Sequence, residues 1–340
     1  MIVDKKAVNE EYNNVINEIL QWYYKKIKTL SIVSPPYNDI SIFIDIILEV
    51  LQDKKNKILY IWNGEKSNKS LLASLREKNN DFTHNFISSG KCDENLVFTN
   101  SKYIEEINDS YDLVIFDDIS EFSKVTKQEI AIKYLWLTHI SKKVILYTME
   151  KTLNIGECLD IPYMHIQKPF CEPRVIQTKV NLEEDIPFML YDYLKWFIDN
   201  KEITVLIVPD CKKMQCVYDY YLNKLKLKNC KIYLAHKENK KRIINEVLNL
   251  KNKSIIIITD SIDLKILQHR KANIVVLFAD NRKFTYKKLI YLCGVENKLD
   301  EKAPEILFVL NEITDEINAV RNIARGFNKR IFLYVIERTS

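Results

Sequence analysis

The chain has 340 residues, which is enough for two domains that each bury a core of their own. Lysine and arginine (51) exceed aspartate and glutamate (46) by only five, so any nucleic-acid site must come from local clusters rather than bulk charge. No apolar stretch approaches the roughly 20 residues that span a bilayer, and the N-terminus lacks a signal peptide's apolar core. We therefore expect a cytoplasmic protein, at most peripheral to a membrane complex.

Short runs rich in Ile, Val and Leu alternate with longer amphipathic stretches along the whole chain. In the first half these runs predict strands at 30–33, 57–62, 95–98, 112–116, 143–148 and 163–166. The first amphipathic stretch places Val8, Tyr12, Val15 and Ile19 on one helix face. Such regular alternation favours parallel sheets that are covered by helices.

The second half continues the same alternation. Its apolar runs predict strands at 203–208, 231–235, 254–259, 273–278, 305–310 and 330–336. Residues 254–259 are apolar without alternation, as expected for a strand that is covered on both faces. The spacing of Ile313, Ile317 and Val320 predicts a last long helix, and Gly326 is placed where a C-terminal cap would end it.

A proline-rich and acidic stretch at 168–187 predicts the domain boundary. We expect a first lobe at 1–170, a linker at 171–187 and a second lobe at 188–340. The sequence thus predicts an α/β fold with two doubly wound parallel-sheet lobes, which is the architecture of a helicase core.

Asp117 and Asp118 end the apolar run 113–116, in the way that carboxylates end the magnesium-holding strand of P-loop ATPases. The partner of such a strand is a glycine-rich loop ending in Gly-Lys-Thr or Gly-Lys-Ser, and the chain's five glycines form none. The segment Asn-Gly-Glu-Lys-Ser at 63–67 has a glutamate where the second glycine is needed, so we interpret it as a strand-to-helix turn. Asp117 and Asp118 are candidates for a vestigial magnesium site, and carboxylates that cap the next helix are the alternative.

Residues 281–288 interleave cations with aromatics, in the order Asn-Arg-Lys-Phe-Thr-Tyr-Lys-Lys. Cations neutralise phosphates while bases stack on aromatic rings, so this pattern is typical of single-stranded nucleic-acid binding. The candidate contacts are Arg282, Lys283, Lys287 and Lys288. Further basic clusters lie at 237–242 and 321–330. For each cluster the alternative is a solvated helix face.

Six segments between residues 30 and 329 carry a resemblance to a known family. They are Ser34-Pro35-Pro36-Tyr37-Asn38-Asp39 and the ranges 111–122, 145–148, 206–209, 284–290 and 319–323. In that order they resemble motif Ia, the Walker B segment, motif III, the opening strand of the second domain, the helix before motif VI and the C-terminal helix of the ComFA family. These are superfamily 2 helicase-like ATPases of bacterial DNA uptake during competence. The resemblance implies two RecA-like lobes, contacts to DNA at Ser34 and Pro35, and protein partners from the DNA-uptake machinery.

The sequence departs from that family where the chemistry lies. Walker A is missing, the Asp-Glu-x-Asp motif is Asp-Asp-Ile-Ser at 117–120, and the arginines of motif VI are replaced by Gly-Val-Glu-Asn-Lys at 294–298. The family's four-cysteine zinc module is absent, and the seven cysteines show no C-x-x-C spacing. Phosphoryl transfer depends on positioning and charge stabilisation, so we expect no hydrolysis and no cofactor. ATP and magnesium would bind only where vestigial activity remains.

We therefore expect a helicase-like pseudoenzyme that binds single-stranded DNA, or the proteins that handle it, across its two lobes. A scaffold built on the same fold, with no nucleic-acid binding, is the alternative. A decaying copy of an ATPase gene and an ATPase with an unconventional phosphate loop are further interpretations. The oligomeric state stays open.

Overall fold

The computed structural model describes residues 5–36, 40–120, 123, 125–161, 170–236, 238–250, 252–261, 272–294 and 304–339. The chain divides into two compact units, Met1–Gln167 with Val335–Ser340, and Lys168–Tyr334. Each unit contains one sheet whose described strand pairs are all parallel, and this confirms the predicted α/β fold with two doubly wound lobes. Among the described helices, none combines the length and the apolar content that a bilayer crossing requires.

The first lobe is built around a seven-stranded sheet with the order β3-β4-β2-β5-β6-β1-β7. Its strands are β1 (Thr29–Val33), β2 (Ile58–Trp62), β3 (His84–Phe86), β4 (Leu96–Asn100), β5 (Tyr111–Asp117), β6 (Ser141–Thr148) and β7 (Glu157–Asp160). Its helices are α1 (Lys5–Tyr24), α2 (Ile44–Leu51), α3 (Lys69–Lys78) and α4 (Lys127–Ile140), with 3₁₀ segments at Ile40–Phe43 and Ser101–Glu106.

The second lobe is built around a six-stranded sheet with the order β10-β11-β9-β12-β13-β8. Its strands are β8 (Arg174–Gln177), β9 (Ile203–Ile207), β10 (Cys230–Ala235), β11 (Ser254–Thr259), β12 (Ala272–Leu277) and β13 (Ile306–Leu310). Its helices are α5 (Phe188–Asp199), α6 (Cys211–Tyr220) with a π-helical turn Tyr221–Leu225, α7 (Lys240–Asn249), α8 (Tyr286–Gly294) and α9 (Asp315–Thr339).

Burial explains why the central strands form. All six residues of β11 are buried, as its unalternating apolar run predicts, because helices cover both faces of a parallel sheet. Ile256 and Ile258 belong to the same core cluster as Leu194 of α5 and Val217 of α6. The first lobe has a corresponding cluster in which α4 packs against β5 and β6.

The C-terminal segment differs from its prediction. Residues 330–336 were expected to form a strand, and Gly326 was expected to end the preceding helix; both predictions are wrong, because α9 runs from Asp315 to Thr339. A short apolar run cannot be assigned to strand or helix by periodicity alone. A single glycine inside a helix costs only about 1 kcal/mol, and the buried neighbours Ala324 and Phe327 hold the helix on both sides of it.

The proline-rich segment 171–187 also differs from its prediction as a linker. It contributes β8 to the second sheet, where Leu307–Leu310 of β13 pairs with Arg174–Gln177. Leu182 and Ile186 from the same segment are buried in the second core. The predicted strand at 163–166 lies outside the described residues.

Gly156 precedes β7 and lies against the backbone of β1, where a side chain would not fit. A first prediction follows from this close approach. Gly156 and Gly90 both have a positive φ (73° and 79°), but a Cβ at Gly156 would lie 2.1 Å from the Thr29 carbonyl oxygen, whereas one at Gly90 meets nothing within 4 Å. We expect Gly90→Ala to lower the free energy of unfolding by about 1–2 kcal/mol, the cost of a left-handed residue. Gly156→Ala should cost about 3 kcal/mol or more, because β1 must also move.

Urea unfolding followed by circular dichroism measures both variants. Equal losses for the two alanines would contradict the tight approach of Gly156 to the β1 backbone.

Candidate functional site

The carboxyl ends of β1, β5 and β6 meet at one edge of the first sheet. β6 lies between β5 and β1, with Val114 opposite Val144 and Thr29 opposite the same residue. In open parallel sheets, ligands bind outside the carboxyl ends of the strands. Ser34 follows β1, Asp117 ends β5 and Thr148 ends β6, so these polar groups occupy the place where a ligand site is expected.

Asp117 is engaged by the protein itself. Asp117 is only 1% exposed. The Oδ2 atom accepts a hydrogen bond from the Tyr60 hydroxyl at 2.6 Å, and Oδ1 accepts from the backbone N–H groups of Ile119 (3.0 Å) and Ser120 (2.9 Å). Burial raises the pKa of the Asp117 carboxyl, and it also raises that of the Tyr60 hydroxyl, which therefore stays protonated as a donor. Asp117 thus stabilises the turn after β5 through hydrogen bonds to its backbone.

A second set of contacts links Asp118 to the end of β6 and the start of the loop after β1. The backbone N–H of Asp118 donates to the Tyr147 carbonyl at 3.0 Å. The Tyr147 hydroxyl donates to Ser34 Oγ at 3.1 Å, and the Ser34 N–H donates to the Thr148 carbonyl at 2.9 Å. Hydrogen bonds within the chain therefore join the three segments at this edge.

The loop after β1 lacks the parts of a phosphate cradle. Residues 34–43 read Ser-Pro-Pro-Tyr-Asn-Asp-Ile-Ser-Ile-Phe, without a glycine or a lysine. Proline has no backbone N–H, so Pro35 and Pro36 cannot donate to a phosphate oxygen. Among the described residues no three His, Cys, Asp or Glu side chains are grouped to hold a metal ion. The loop after β1 therefore contains neither the glycines nor the lysine that hold phosphates in a P-loop.

The predicted DNA contacts at Ser34 and Pro35 do not agree with this geometry. Ser34 is 0% exposed and Pro35 is buried, so both are excluded as surface contacts. The prediction rested on short-motif similarity, which does not report burial. Several residues of the family-like motifs lie outside the described residues: Tyr37, Asn38, Asp39, Glu121, Phe122 and the range 295–298.

The turn at 63–67 has the structure of an ordinary strand-to-helix connection. Asn68 caps α3 by accepting a hydrogen bond from the Leu71 N–H at 3.2 Å. The Trp62 indole donates to the Lys66 carbonyl at 3.0 Å. The ring lies directly against Gly64, since a Cβ at that position would be 2.2 Å from it. The Trp62 indole therefore packs against this turn.

Five exposed cations lie at the carboxyl edge of the second sheet, and we call them the carboxyl-edge cations. They are Lys212 at the start of α6, Lys241 and Arg242 at the start of α7, and Arg282 and Lys283 after β12. Two contacts confirm this placement. Lys240 Nζ donates to Ser261 Oγ after β11 at 3.0 Å, and Lys283 Nζ lies 3.6 Å from Asp210 after β9.

The other predicted cations are placed differently. Lys287 is 3% exposed and so is not available as a surface contact, while Lys288 Nζ donates to the Lys283 carbonyl at 2.9 Å. Lys287 is buried because it points inward on the first turn of α8, a direction that cation–aromatic interleaving does not reveal. Lys237 lies outside the described residues.

The C-terminal part of the third basic cluster lies near the opposite edge of the second sheet. Arg325 Nε is 3.2 Å from Glu172, which precedes the amino end of β8. Asn328, one turn further along α9, accepts from the Phe170 N–H at 2.6 Å. The part of this cluster from Arg325 onward therefore lies away from the carboxyl-edge cations, at the other end of the strands.

At the level of sequence, no family profile and no curated protein matches the chain. Its fold is similar to that of two solved structures of Escherichia coli HrpB. One describes HrpB as a DExH-box NTPase and the other as a DEAH/RHA helicase. The TM-scores are 0.52 and 0.50 at 12% and 11% identity, with 89% and 90% of this chain and 41% and 43% of HrpB covered. The chain thus spans less than half the length of HrpB.

A third solved structure, the DUF1998 helicase MrfA, has a TM-score of 0.49 at 12% identity over 93% of this chain and 50% of that one. The fold that the HrpB structures share with this chain is that of a helicase core with two RecA-like lobes.

The state of Asp117 gives a second prediction. In Asp117→Asn, the amide oxygen can keep both backbone hydrogen bonds while the amide nitrogen donates to Tyr60, so no charge is buried. We expect the Tm at about pH 7.5 to equal or exceed that of the wild type. Because the folded pKa of Asp117 is raised, its stabilising contribution is complete below its unfolded pKa of about 4 and is lost as pH rises through the folded pKa. The difference in Tm between Asp117→Asn and the wild type should therefore shrink as the pH falls toward 4.

Tyr60→Phe is the control, because it removes a donor from a buried carboxyl and should cost about 1–3 kcal/mol. Differential scanning calorimetry with and without millimolar magnesium distinguishes the two roles of Asp117. A magnesium-dependent rise in the wild-type Tm that the Asn variant lacks would contradict the structural role.

Proposed function

We propose that this chain is a helicase-like protein that binds single-stranded nucleic acid and does not hydrolyse ATP. The carboxyl-edge cations carry the binding half of the proposal, because five exposed positive charges follow one edge of a sheet. A single strand presents phosphates at regular intervals, and a row of cations neutralises several of them at once.

The hydrolysis half of the proposal rests on the first lobe. HrpB is described as an NTPase and a helicase, but phosphoryl transfer requires a phosphate cradle and cations that stabilise the transition state. Here the loop after β1 has two prolines and no lysine, and Asp117 is committed to Tyr60 and to two backbone N–H groups. We infer that the fold is retained without this chemistry.

The resemblance to the ComFA family supports DNA as the nucleic acid and the proteins of DNA uptake as partners. This part of the proposal depends on the sequence segments alone. It is narrower than the binding proposal and can fail while that proposal stands.

A scaffold that binds no nucleic acid is the second candidate function. The observation in its favour is that acidic groups share the same edge of the second sheet. Asp210 lies 3.6 Å from Lys283, and Asp280 accepts from the N–H groups of Asn311 and Glu312 after β13. These carboxylates reduce the positive potential that a nucleic acid would meet.

Salt dependence of binding gives a third prediction. Each phosphate contact contributes a slope of about −0.7 in a plot of log affinity against log salt for single strands, so five contacts give about −3.5. Affinity for a labelled oligothymidylate should therefore fall about 100-fold between about 50 and 200 mM salt. Fluorescence anisotropy measures it. Absence of binding at the lower salt would overturn the proposal and favour the scaffold.

A pair of charge-reversal variants gives a fourth prediction. Arg282→Glu/Lys283→Glu removes two carboxyl-edge cations and should reduce the magnitude of the salt slope by about 1.4 and the affinity at least tenfold. Arg325→Glu/Lys329→Glu changes the net charge equally, from +5 to +1, toward the amino edge of the sheet and should bind as the wild type does. Equal losses of affinity in both variants would indicate that the net charge of the protein, rather than a defined site, attracts the oligonucleotide. DNA-stimulated ATP turnover by pure protein would overturn the hydrolysis half.

A further inference from the structure

A groove of about 560 Å³ lies in the first lobe between α3 and the edge strand β3. Its lining includes Lys66 and Ser67 before the helix, Lys69 and Arg76 on the helix, and His84 and Phe86 on the strand. Of the segments that the sequence singled out, the turn at 63–67 contributes Lys66 and Ser67 to this groove. The groove belongs to the first lobe, whereas the carboxyl-edge cations belong to the second.

The charged residues that line the groove are all basic. Lys66, Lys69 and Arg76 are exposed, and none of the three forms an ion pair with a described residue. No aspartate or glutamate belongs to the lining. Lys69 and Arg76 lie two helical turns apart on one face of α3, about 10 Å along the axis, which matches roughly three nucleotides of stacked single strand.

A neighbouring cleft of the same lobe shows that this one-sided charge is not general. That cleft, of about 620 Å³, contains Lys102 and Lys133 together with Glu65 and Glu129. Lys102 Nζ lies 2.7 Å from Glu65, so its charge is compensated within the protein. No ion pair with a described residue compensates Lys66, Lys69 or Arg76 in the α3–β3 groove, which therefore favours an anionic ligand from solvent.

Aromatic rings line the opposite side of the groove. His84 and Phe86 are two residues apart on β3, so their side chains point to the same face of the strand. The Phe82 ring lies 6.4 Å from the His84 ring and extends this row. All three residues are partly exposed. Burial, followed by the charge of Arg76, lowers the pKa of His84, and a neutral ring suits stacking on a base.

An added peptide strand is the other occupant to consider, because β3 is at the edge of the sheet. The strand is only three residues long, and the Phe86 N–H already donates to its neighbour's side chain, Asn85 Oδ1, at 2.8 Å. A peptide would therefore find a short edge with one donor occupied, whereas a cation row opposite an aromatic row suits a chain of phosphates and bases.

We propose that the groove between α3 and β3 is a second binding surface for single-stranded nucleic acid, with phosphates on Lys66, Lys69 and Arg76 and bases against His84 and Phe86. The proposal rests on the proposed function and adds a first-lobe contact to it.

Two variants test the two halves of the groove in the full chain. Lys69→Gln/Arg76→Gln should reduce the magnitude of the salt slope for oligothymidylate by about 1.4, because two phosphate contacts are lost. Phe86→Leu keeps apolar volume and should weaken binding about tenfold while leaving the slope unchanged, because a stacking partner is lost. The matched control is Lys102→Gln/Lys133→Gln, which removes the same charge from the compensated cleft and should bind as the wild type does. Thermal melting confirms that each variant is folded.

The outcomes separate this proposal from the proposed function. If the groove variants bind as the wild type does while Arg282→Glu/Lys283→Glu is weakened, the groove proposal is overturned and the proposed function stands. If the wild type binds no oligonucleotide, both fail. If a polyglutamate peptide binds in a Lys69- and Arg76-dependent manner and the oligonucleotide does not, the groove is an acidic-peptide site and the proposal is again overturned.

Discussion

The hydrogen bonding of Asp117 is the constraint on which the interpretation of the first lobe depends. A carboxylate at the end of a buried strand must be compensated, because removing a charge from water without partners is costly. In a P-loop ATPase a magnesium ion is part of that compensation. Here the Tyr60 hydroxyl and the N–H groups of Ile119 and Ser120 provide it instead. The strand, its position in the sheet and the carboxylate are all present, but the carboxylate stabilises a turn.

The carboxyl edges of the two sheets differ in the groups that they present. In the first lobe the loop after β1 is tied to β6 through Ser34, Tyr147 and Thr148, so the edge where a nucleotide would be expected is closed by hydrogen bonds. In the second lobe the corresponding edge presents exposed lysines and arginines at the starts of α6 and α7 and after β12. A fold of the helicase type can keep a surface for nucleic acid without keeping the chemistry, because the two depend on different residues.

Much of the fold could be predicted from the sequence, since β5 and β11 each contain an unbroken run of four large apolar residues. The short edge strands β3, β7 and β8 could not, because three or four residues with mixed polarity carry no clear period. The candidate site was less predictable. The hydrogen bond from Tyr60 to Asp117 joins residues that are 57 positions apart in the sequence. The burial of Lys287 depends on how α8 packs against the rest of the lobe. The groove at β3 was missed for the same reason, because its cations and aromatics lie on different elements.

The claim that the first lobe has lost its nucleotide site is tested most directly by titrating the full chain with magnesium and ATP in an isothermal calorimeter, with a single-stranded oligonucleotide present. We expect no heat of binding at millimolar ATP, because the loop after β1 offers neither the backbone donors nor the lysine that hold phosphates. Saturable binding that Asp117→Asn abolishes would contradict the account, because it would show that the carboxylate still serves a metal-bound nucleotide.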